Sequence, residues 1–453
     1  MKIHFIAIGG SAMHNLAIAL KINGYEVTGS DDEIFEPSRG RLAKYGLLPE
    51  KEGWHPELIS NEIDAVILGM HARPDNPELL RAQETGVKIY SYPEFLYEHA
   101  KNKKRVVIGG SHGKTTITAM IMHVLKYLNR DFDYLVGSKL RDFEVMVRLS
   151  SEAPVMIFEG DEYLSSPIDR RPKFHWYHPH VALLSGIAWD HINVFPTYEN
   201  YLEQFSTFMD LMEKDGMLIY NSEDEELAGL VFQNKNKIQK IPYQTPGFEI
   251  KDGTSYVIDG KSKVPLKIFG RHNLLNLNGA RLVCHQLGIE DKKFFEAVSG
   301  FQGAARRLEL IARKGQGRLF SDFAHAPSKL KATLEAVKEQ FPDRQLFASF
   351  ELHTFSSLNS HFLEQYAGTM DKADRAIVYF NPHALKMKRL PVLDKNQVKK
   401  AFGRNDLQVF DDAGEMTRWL KNHGTPEDIF LMMSSGNFDG TELKMLAIQL
   451  LER

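Results

Sequence analysis

The chain has 453 residues, 43% of them hydrophobic and 25% charged, and a formal net charge of −3. That length accommodates about three domains with cores of their own, and the balanced charge, without a Lys/Arg block, excludes a nucleic-acid footprint. The single cysteine, Cys284, excludes an internal disulfide and fits a reducing, cytoplasmic setting, while no apolar run reaches the ~18 residues that cross a bilayer, so no membrane insertion is expected.

Residues 1–103 alternate short apolar runs (Ile3–Ile8, Glu26–Ser30, Ala65–Leu68, Lys88–Ser91) with helical patterns, the rhythm of a parallel α/β sheet. Gly9-Gly10 occupy the first strand-to-helix turn, and Asp31 follows the second strand, about 20 residues on, where an acid often meets a ribose hydroxyl. Ala7 and Ala12 stand where the first and third glycines of a dinucleotide fingerprint would be, so a nicotinamide site and a site for another diphosphate both stay open. The charged run Lys101-Asn102-Lys103-Lys104-Arg105 reads as an interdomain linker.

The strongest signal comes next. Val106-Val107-Ile108 runs into Gly109-Gly110-Ser111-His112-Gly113-Lys114-Thr115-Thr116 and then an apolar helix from Ile117. A buried strand, a glycine turn and a helix N-terminus make a phosphate-binding loop, in which Lys114 reaches the terminal phosphates and Thr115 offers a hydroxyl to Mg²⁺. Only Ser111 and His112 separate Gly110 from Gly113, so the loop is more compact than the common form. Downstream, Glu159-Gly160-Asp161-Glu162 ends the strand Val155–Phe158, where a carboxylate completes a metal shell. Asp190-His191 follows the strand Val181–Leu184, with His191 open to roles as metal ligand, base or packed ring. His175, His178 and His180 lack the cysteine partners and spacing of a zinc site.

Gly270-Arg271-His272-Asn273 opens another apolar helix in which Asn273 and Asn276 share a face; an amide pair suits an adenine edge, and helix capping by Asn273 is the plainer reading. Arg306-Arg307 ends the domain with guanidinium forks suited to phosphate or carboxylate. Beyond Arg313, Leu319–Asp322, Gln345–Phe350, Arg375–Phe380 and Asp428–Met433 read as strands of a smaller parallel α/β domain, interleaved with helices such as Lys329–Glu339.

Taken in order, Ile8-Gly9-Gly10, Gly110 to Thr116, Glu159 to Glu162, Asp190-His191, Gly270 to Asn273 and Arg306-Arg307 resemble the Mur ligase family over almost the whole chain. The resemblance implies an α/β protein of three domains: an N-terminal Rossmann-like UDP-sugar domain (1–103), a central P-loop ATPase domain (104–310) and a C-terminal Rossmann-like acceptor domain (311–453). It implies an ATP- and Mg²⁺-dependent ligase that forms an amide bond through an acyl phosphate. Ser30-Asp31 and Asn76-Pro77-Glu78 match first-domain motifs of the muramate-linked branch, whose members act on UDP-N-acetylmuramate. The roles it implies are Gly9, Gly10, Ser11, Ser30, Asp31 and Asn76 for the UDP-sugar, and Gly110, Ser111, His112, Gly113, Lys114, Thr115, Thr116, His272, Asn273, Asn276, Arg306 and Asp322 for ATP. Thr115, Glu159 and His191 would hold metal; Lys114, Glu159 and His191 would carry catalysis; His325 and Asn437 would meet the acceptor.

Within that branch some members add L-alanine and others the recovered L-alanyl-γ-D-glutamyl-meso-diaminopimelate tripeptide. The long insert from Asp161-Glu162-Tyr163 to Pro179, the Phe323-Ala324-His325 core and the run Met433 to Gly440 resemble the tripeptide-adding members. The chain departs from the pattern at Ala326, where a second histidine is usual, and at Leu352-His353-Thr354-Phe355, where an arginine is usual. Sites spread over three domains imply closure around the ligands, with rotation expected near 101–105 and 306–316.

Overall fold

A computed structural model of the chain describes residues 1–140, 142–189, 194–304, 306–360 and 362–452. The first apolar runs become strands β1 (Lys2–Ile6), β2 (Glu26–Ser30), β3 (Ala65–Leu68) and β4 (Lys88–Ser91), which form a parallel sheet in the order β2-β1-β3-β4. Ile3, Phe5 and Ile6 are fully buried, as a strand covered on both faces demands. The expected strand Ile3–Ile8 stops at Ile6. There Ala7 adopts φ +67, and the N–H groups of Ala7 and Ile8 both donate to Ser30 O, turning the chain toward its glycines.

A seven-stranded sheet follows, of β5 (Lys104–Gly109), β6 (Asp133–Leu135), β7 (Val147–Arg148), β8 (Val155–Glu159), β9 (Val181–Leu184), β10 (Met217–Asn221) and β11 (Gln239–Tyr243). Its order is β11-β10-β9-β5-β8-β6-β7, with β7 antiparallel at the edge. β5 lies between β8 and β9, so the loop it delivers opens at the middle of the sheet's C-terminal edge, where open α/β sheets bind ligands. The two sheets belong to one compact unit, Met1–Thr245 with Leu275–Val298, and one apolar core runs from Phe5 and Ile67 to Phe158, Leu184 and Phe205.

The run Lys101–Arg105 is not a loose linker. Lys103 and Arg105 are buried: Lys103 Nζ donates to Asp133 Oδ2 (2.7 Å), and the Arg105 guanidinium donates to the carbonyls of Lys101, Tyr177 and His178 and to Glu213. The partners of these charges lie 30 to 108 residues away, so their burial carries no signal along the chain. A hinge at this point would have to break those buried bonds.

The second unit is Pro246–Leu274 with Ser299–Arg453, so residues 104–310 contribute to both units. It holds a small antiparallel sheet, β12 (Phe248–Lys251), β13 (Thr254–Asp259) and β14 (Ser262–Leu266), for which the sequence reading had no strands. Its six-stranded sheet comprises β15 (Glu309–Lys314), β16 (Gly317–Asp322), β17 (Leu346–Leu352), β18 (Arg375–Phe380), β19 (Gln408–Phe410) and β20 (Ile429–Met433), ordered β15-β16-β20-β17-β18-β19. All neighbours pair in parallel except β15 with β16. Helices bury both faces, one over Phe350 and Leu431 and the other over Phe347 and Phe430. Among the described residues no helix is long and apolar enough to cross a membrane.

Candidate active site

The loop after β5 is built by contacts that reach across the sheet. Gly110 has φ +116, and a Cβ there would lie 2.5 Å from Ser185 Oγ and 2.8 Å from Ser185 N, so only glycine fits. Ser111 N donates to Gly186 O (2.9 Å), Ser111 Oγ accepts from Ala188 N (3.0 Å), and Ser185 Oγ donates to the carbonyls of Gly109 and His112. The loop after β9 therefore backs the phosphate loop. Gly113, at φ +83, caps the helix Lys114–Tyr127; a Cβ there would stand 2.4 Å from Asn276 Oδ1. The structure thus brings Asn276 under the loop. Thr116 is buried in the first helical turn, and His112 Nδ1 lies 2.8 Å from Ser111 O.

Lys114 Nζ donates to Gly110 O (2.6 Å) and to both oxygens of Glu162 (2.9 and 3.2 Å). Burial works to lower its pKa, but Glu162, with Asp161 and Glu159, outweighs that and holds the ammonium above its ordinary value. Glu162, whose side chain is 1% exposed, belongs to the acidic run after β8, and its pairing with Lys114 shows only once β5 and β8 lie side by side. Thr115 Oγ1 donates to Glu159 Oε1 (2.7 Å) and Gly137 N to Glu159 Oε2 (2.9 Å). Burial raises the Glu159 pKa, opposed by these two hydrogen bonds. Burial also acts to raise Asp161, but Lys173, 2.5 Å away, reverses it and its pKa is lowered.

A hydroxyl and a carboxylate at hydrogen-bond distance are the hard oxygen donors that Mg²⁺ takes, so Thr115 and Glu159 fit the ion. Asp190 and His191 lie outside the described residues. The rings of His175 and His178 sit on the carbonyls of Gln204 and Leu211, and His180 Nδ1 accepts from Arg105 N, so each is engaged by the main chain.

The first-sheet turn resembles the phosphate loop but carries no cation. Gly9 N donates to Asp31 Oδ2 (2.7 Å), and a Cβ on Gly9 would lie 2.8 Å from that oxygen. Burial pushes the Asp31 carboxyl up to about 6, the Gly9 N–H opposing it. Asp31 therefore braces the turn from behind, beside buried Ser30. Gly10 is the N-cap of the helix that starts at Ser11. Asn76, 4% exposed, caps a helix: its Oδ1 accepts from Glu78 N and Leu79 N at the start of helix Pro77–Thr85. A cavity of about 430 Å³ joins the two turns, lined by Gly10 and Ser11 from one and Lys114 and Glu159 from the other. Asp161 and Lys173, from the insert after β8, also line it.

The remaining candidates lie in the second unit. Asn273 Nδ2 donates to Phe269 O (2.9 Å) inside helix Arg271–Gln286, so it is not the helix cap, and burial lowers the pKa of His272, with Asp322 opposing. Both Asp322 oxygens are occupied, by Leu308 N (2.7 Å) and by Ala324 N (2.7 Å) with the Thr333 hydroxyl (3.2 Å). Arg306, at φ +56, donates to Ser434 O (2.7 Å) and Gly436 O (2.6 Å) and lies 5.1 Å over the Phe323 ring. Buried Glu351 anchors the same loop, accepting from Ser434 Oγ and from Phe438 N (2.8 Å). His325 Nδ1 is 2.9 Å from Phe323 O, and Asn437 Oδ1 accepts from Gly440 N (3.1 Å). These residues gather at the C-terminal ends of β16 and β20, with Glu351 on β17 beside them.

A phosphate loop opening on a second glycine turn in one unit, and an α/β sheet with its own polar edge in the other, define a multidomain nucleotide-dependent enzyme. Three family models match the chain in order: "Mur ligase family, catalytic domain" at residues 2–104, "Mur ligase middle domain" at 108–284 and "Mur ligase, glutamate ligase domain" at 306–436. The chain belongs to the Mur ligase family and is an ATP-dependent amide-bond ligase of peptidoglycan synthesis. It is 28% identical to the UDP-N-acetylmuramate–L-alanine ligase of Clostridium tetani, over 96% of each chain, and 26% identical to that of Carboxydothermus hydrogenoformans, over 98% of this chain and 96% of the other. Two crystal structures share the fold: a murein peptide ligase from Psychrobacter arcticus (TM-score 0.62, 24% identity, 99% and 98% covered) and the UDP-N-acetylmuramate–alanine ligase of Thermotoga maritima (TM-score 0.70, 23% identity, 100% and 99% covered).

Proposed function

We propose that the protein joins the L-alanyl-γ-D-glutamyl-meso-diaminopimelate tripeptide to UDP-N-acetylmuramate in the cytoplasm, the salvage step of peptidoglycan recycling. The observation that carries this reading is the cavity itself. The uncharged glycine turn suits a sugar-nucleotide diphosphate, Lys114 and Glu159 face it, and the insert that resembles the tripeptide-adding members lines the same space. The identity to L-alanine ligases supports a second reading, in which free L-alanine is the acceptor.

In the proposed reaction the lactyl carboxylate of the sugar attacks the γ-phosphorus of ATP, ADP leaves and an acyl phosphate forms. The acceptor's L-alanyl amine then attacks the carbonyl carbon, loses its proton, and phosphate departs. Lys114 neutralises charge that develops on the transferred phosphoryl group, exchanging Glu162 for phosphate oxygens. Thr115 and Glu159 are the described residues that would hold Mg²⁺, whose charge stabilises the phosphates when bound. Asn276 and the glycines keep the loop in shape, and in this reading Asn273, His272, Arg306 and Asp322 serve the nucleoside.

The test is phosphate release from ATP and Mg²⁺ with UDP-N-acetylmuramate, comparing tripeptide with L-alanine. Turnover with tripeptide that disappears in Lys114→Ala is the expected result. Turnover with L-alanine alone would replace this reading by the second.

A further inference from the structure

The helix that leaves the first glycine turn, Ser11–Ile22, buries two polar residues side by side, His14 and Asn15. Neither side chain takes part in the proposed reaction. Their hydrogen bonds are met inside the protein, and the partners fix the state of the ring. Asn15 Oδ1 accepts from Met146 N (3.1 Å), so Nδ2 is the end that faces Ser11 O (2.7 Å) and His14 Nε2 (3.0 Å). Arg41 Nη1, from the helix Ser38–Lys44, lies 3.2 Å from the same ring nitrogen. An amide NH₂ and a guanidinium can only donate, so Nε2 is the acceptor and carries no proton. The proton is on Nδ1, 2.9 Å from Gly10 O and 3.1 Å from Ser38 Oγ. Burial lowers the His14 pKa, with the Gly10 carbonyl opposing it and Arg41 reinforcing it, so the ring is neutral.

A neutral ring of this tautomer joins two parts of the cavity wall. On one side it donates to the carbonyl of the turn's second glycine, which also accepts from His14 N (2.9 Å). On the other it gives Arg41 an acceptor, and Arg41 Nη2 donates to Glu144 O (3.3 Å). The Glu144 carboxylate is taken by Lys44 and the Tyr45 hydroxyl, so it leaves Arg41 to the ring and the main chain. Asn15 makes the parallel link to Met146 N, just before β7. Gly10, Ser11, Asn15 and Met146 all line the same cavity. The glycine turn, which has no cation of its own, is therefore held in place from behind by a ring that bonds to both of its supports.

We propose that His14, as the neutral Nδ1–H tautomer, is a positioning residue for the sugar-nucleotide diphosphate, fixing the Gly10 peptide at the helix N-terminus and tying it through Arg41 to the segment before β7. This rests on the reading of Gly9-Gly10 as the UDP-sugar turn. A proton on Nε2 would set its N–H against two N–H donors and release both ties.

The experiment measures steady-state phosphate release with the acceptor that supports turnover, tripeptide or L-alanine, and reads KM for UDP-N-acetylmuramate and for ATP. His14→Phe keeps the volume of the ring and removes both bonds, while His14→Asn keeps a donor near the Nδ1 position. His14→Phe should raise the UDP-N-acetylmuramate KM about tenfold, as the loss of one or two buried hydrogen bonds would, and His14→Asn at most about threefold. In both variants kcat and the ATP KM should stay within about twofold of wild type, since neither residue meets ATP or the reacting atoms. A UDP-N-acetylmuramate KM unchanged in His14→Phe, or a KM raised equally for both substrates, would overturn the inference. Nuclear magnetic resonance of wild type with nitrogen-15 histidine tests it without relying on the fold of a variant carrying Phe. The signal lost in His14→Asn should report a proton on Nδ1 and none on Nε2 at about pH 7; the opposite tautomer or an imidazolium would overturn the inference as well. Gly9→Ala separates the two readings: if it leaves the UDP-N-acetylmuramate KM unchanged, the turn is not the UDP-sugar site, and this inference falls with that reading.

Discussion

The two strand-to-helix glycine turns of the first unit invite comparison, because they share a backbone plan and differ in what surrounds it. After β1, Gly9-Gly10 lead into a helix with no Lys or Arg in its first turn, and a buried acid, Asp31, holds the turn from behind. After β5, Gly110 to Gly113 lead into a helix whose first residues, Lys114 and Thr115, are met by Glu162 and Glu159. Backbone N–H groups and a helix N-terminus suffice to bind a diphosphate that does not react. Moving a phosphoryl group needs full charges placed before the reaction begins, and buried carboxylates keep Lys114 and Thr115 in position meanwhile. In the proposed reaction one plan thus serves a binding turn and a reacting turn, the difference lying in side chains delivered from other strands.

Four substitutions break or sharpen this contrast. Lys114→Ala should cost the most, a hundred- to thousandfold in kcat for phosphate release, because nothing else in the described loop supplies a cation to the phosphates. Gly110→Ala should lower stability by about 1–3 kcal/mol and abolish nucleotide binding, since its Cβ would stand 2.5 Å from Ser185 Oγ at φ +116; denaturant midpoints and ATP titration read both. Gly9→Ala should raise the KM for UDP-N-acetylmuramate about tenfold and leave that for ATP unchanged, its Cβ displacing Asp31 and so the turn. If both KM values moved together, the two turns would not be the separate sites argued here.

The smallest effect concerns pH. Asp31 has a folded pKa raised to about 6 from 3.8, so the stability it contributes is complete below pH 3.8 and is lost as pH rises through about 6. Asp31→Asn cannot titrate, so between pH 4.5 and 7 wild type should lose about 1–2 kcal/mol relative to the variant. Urea midpoints at the two pH values measure this; parallel curves would mean that Asp31 is solvated in the folded protein.

Much of the architecture was legible in order along the chain. The expected strands fell within a residue or two of their runs because they are apolar and bounded by turn residues, whereas the parallel strands β6, β11 and β19 had no expected run. The phosphate loop was plain because its strand, glycines, lysine and helix are contiguous. The strands of 248–266 were missed because Phe248–Lys251 and Ser262–Leu266 mix exposed and half-buried residues and lack an apolar run. Ser185, Glu162 and Glu351 carry no local signal. Each matters only through a partner 48 to 83 positions away or across a sheet, as with Glu162 and Lys114 or Glu351 and Ser434.

By itself the sequence determined the succession of the parallel α/β sheets, the place of the phosphate loop, the family resemblance and the nucleotide chemistry that follows from them, because all of these reside in short stretches whose periodicity and spacing are local. Tertiary structure alone decided that Asn76 caps a helix, that Asp31 braces a turn, that Lys103 and Arg105 are buried rather than solvated, and that Lys114 waits on Glu162. Those outcomes depend on which polar groups lose water together when distant strands pair, and a buried charge or amide takes whatever partner the fold sets beside it.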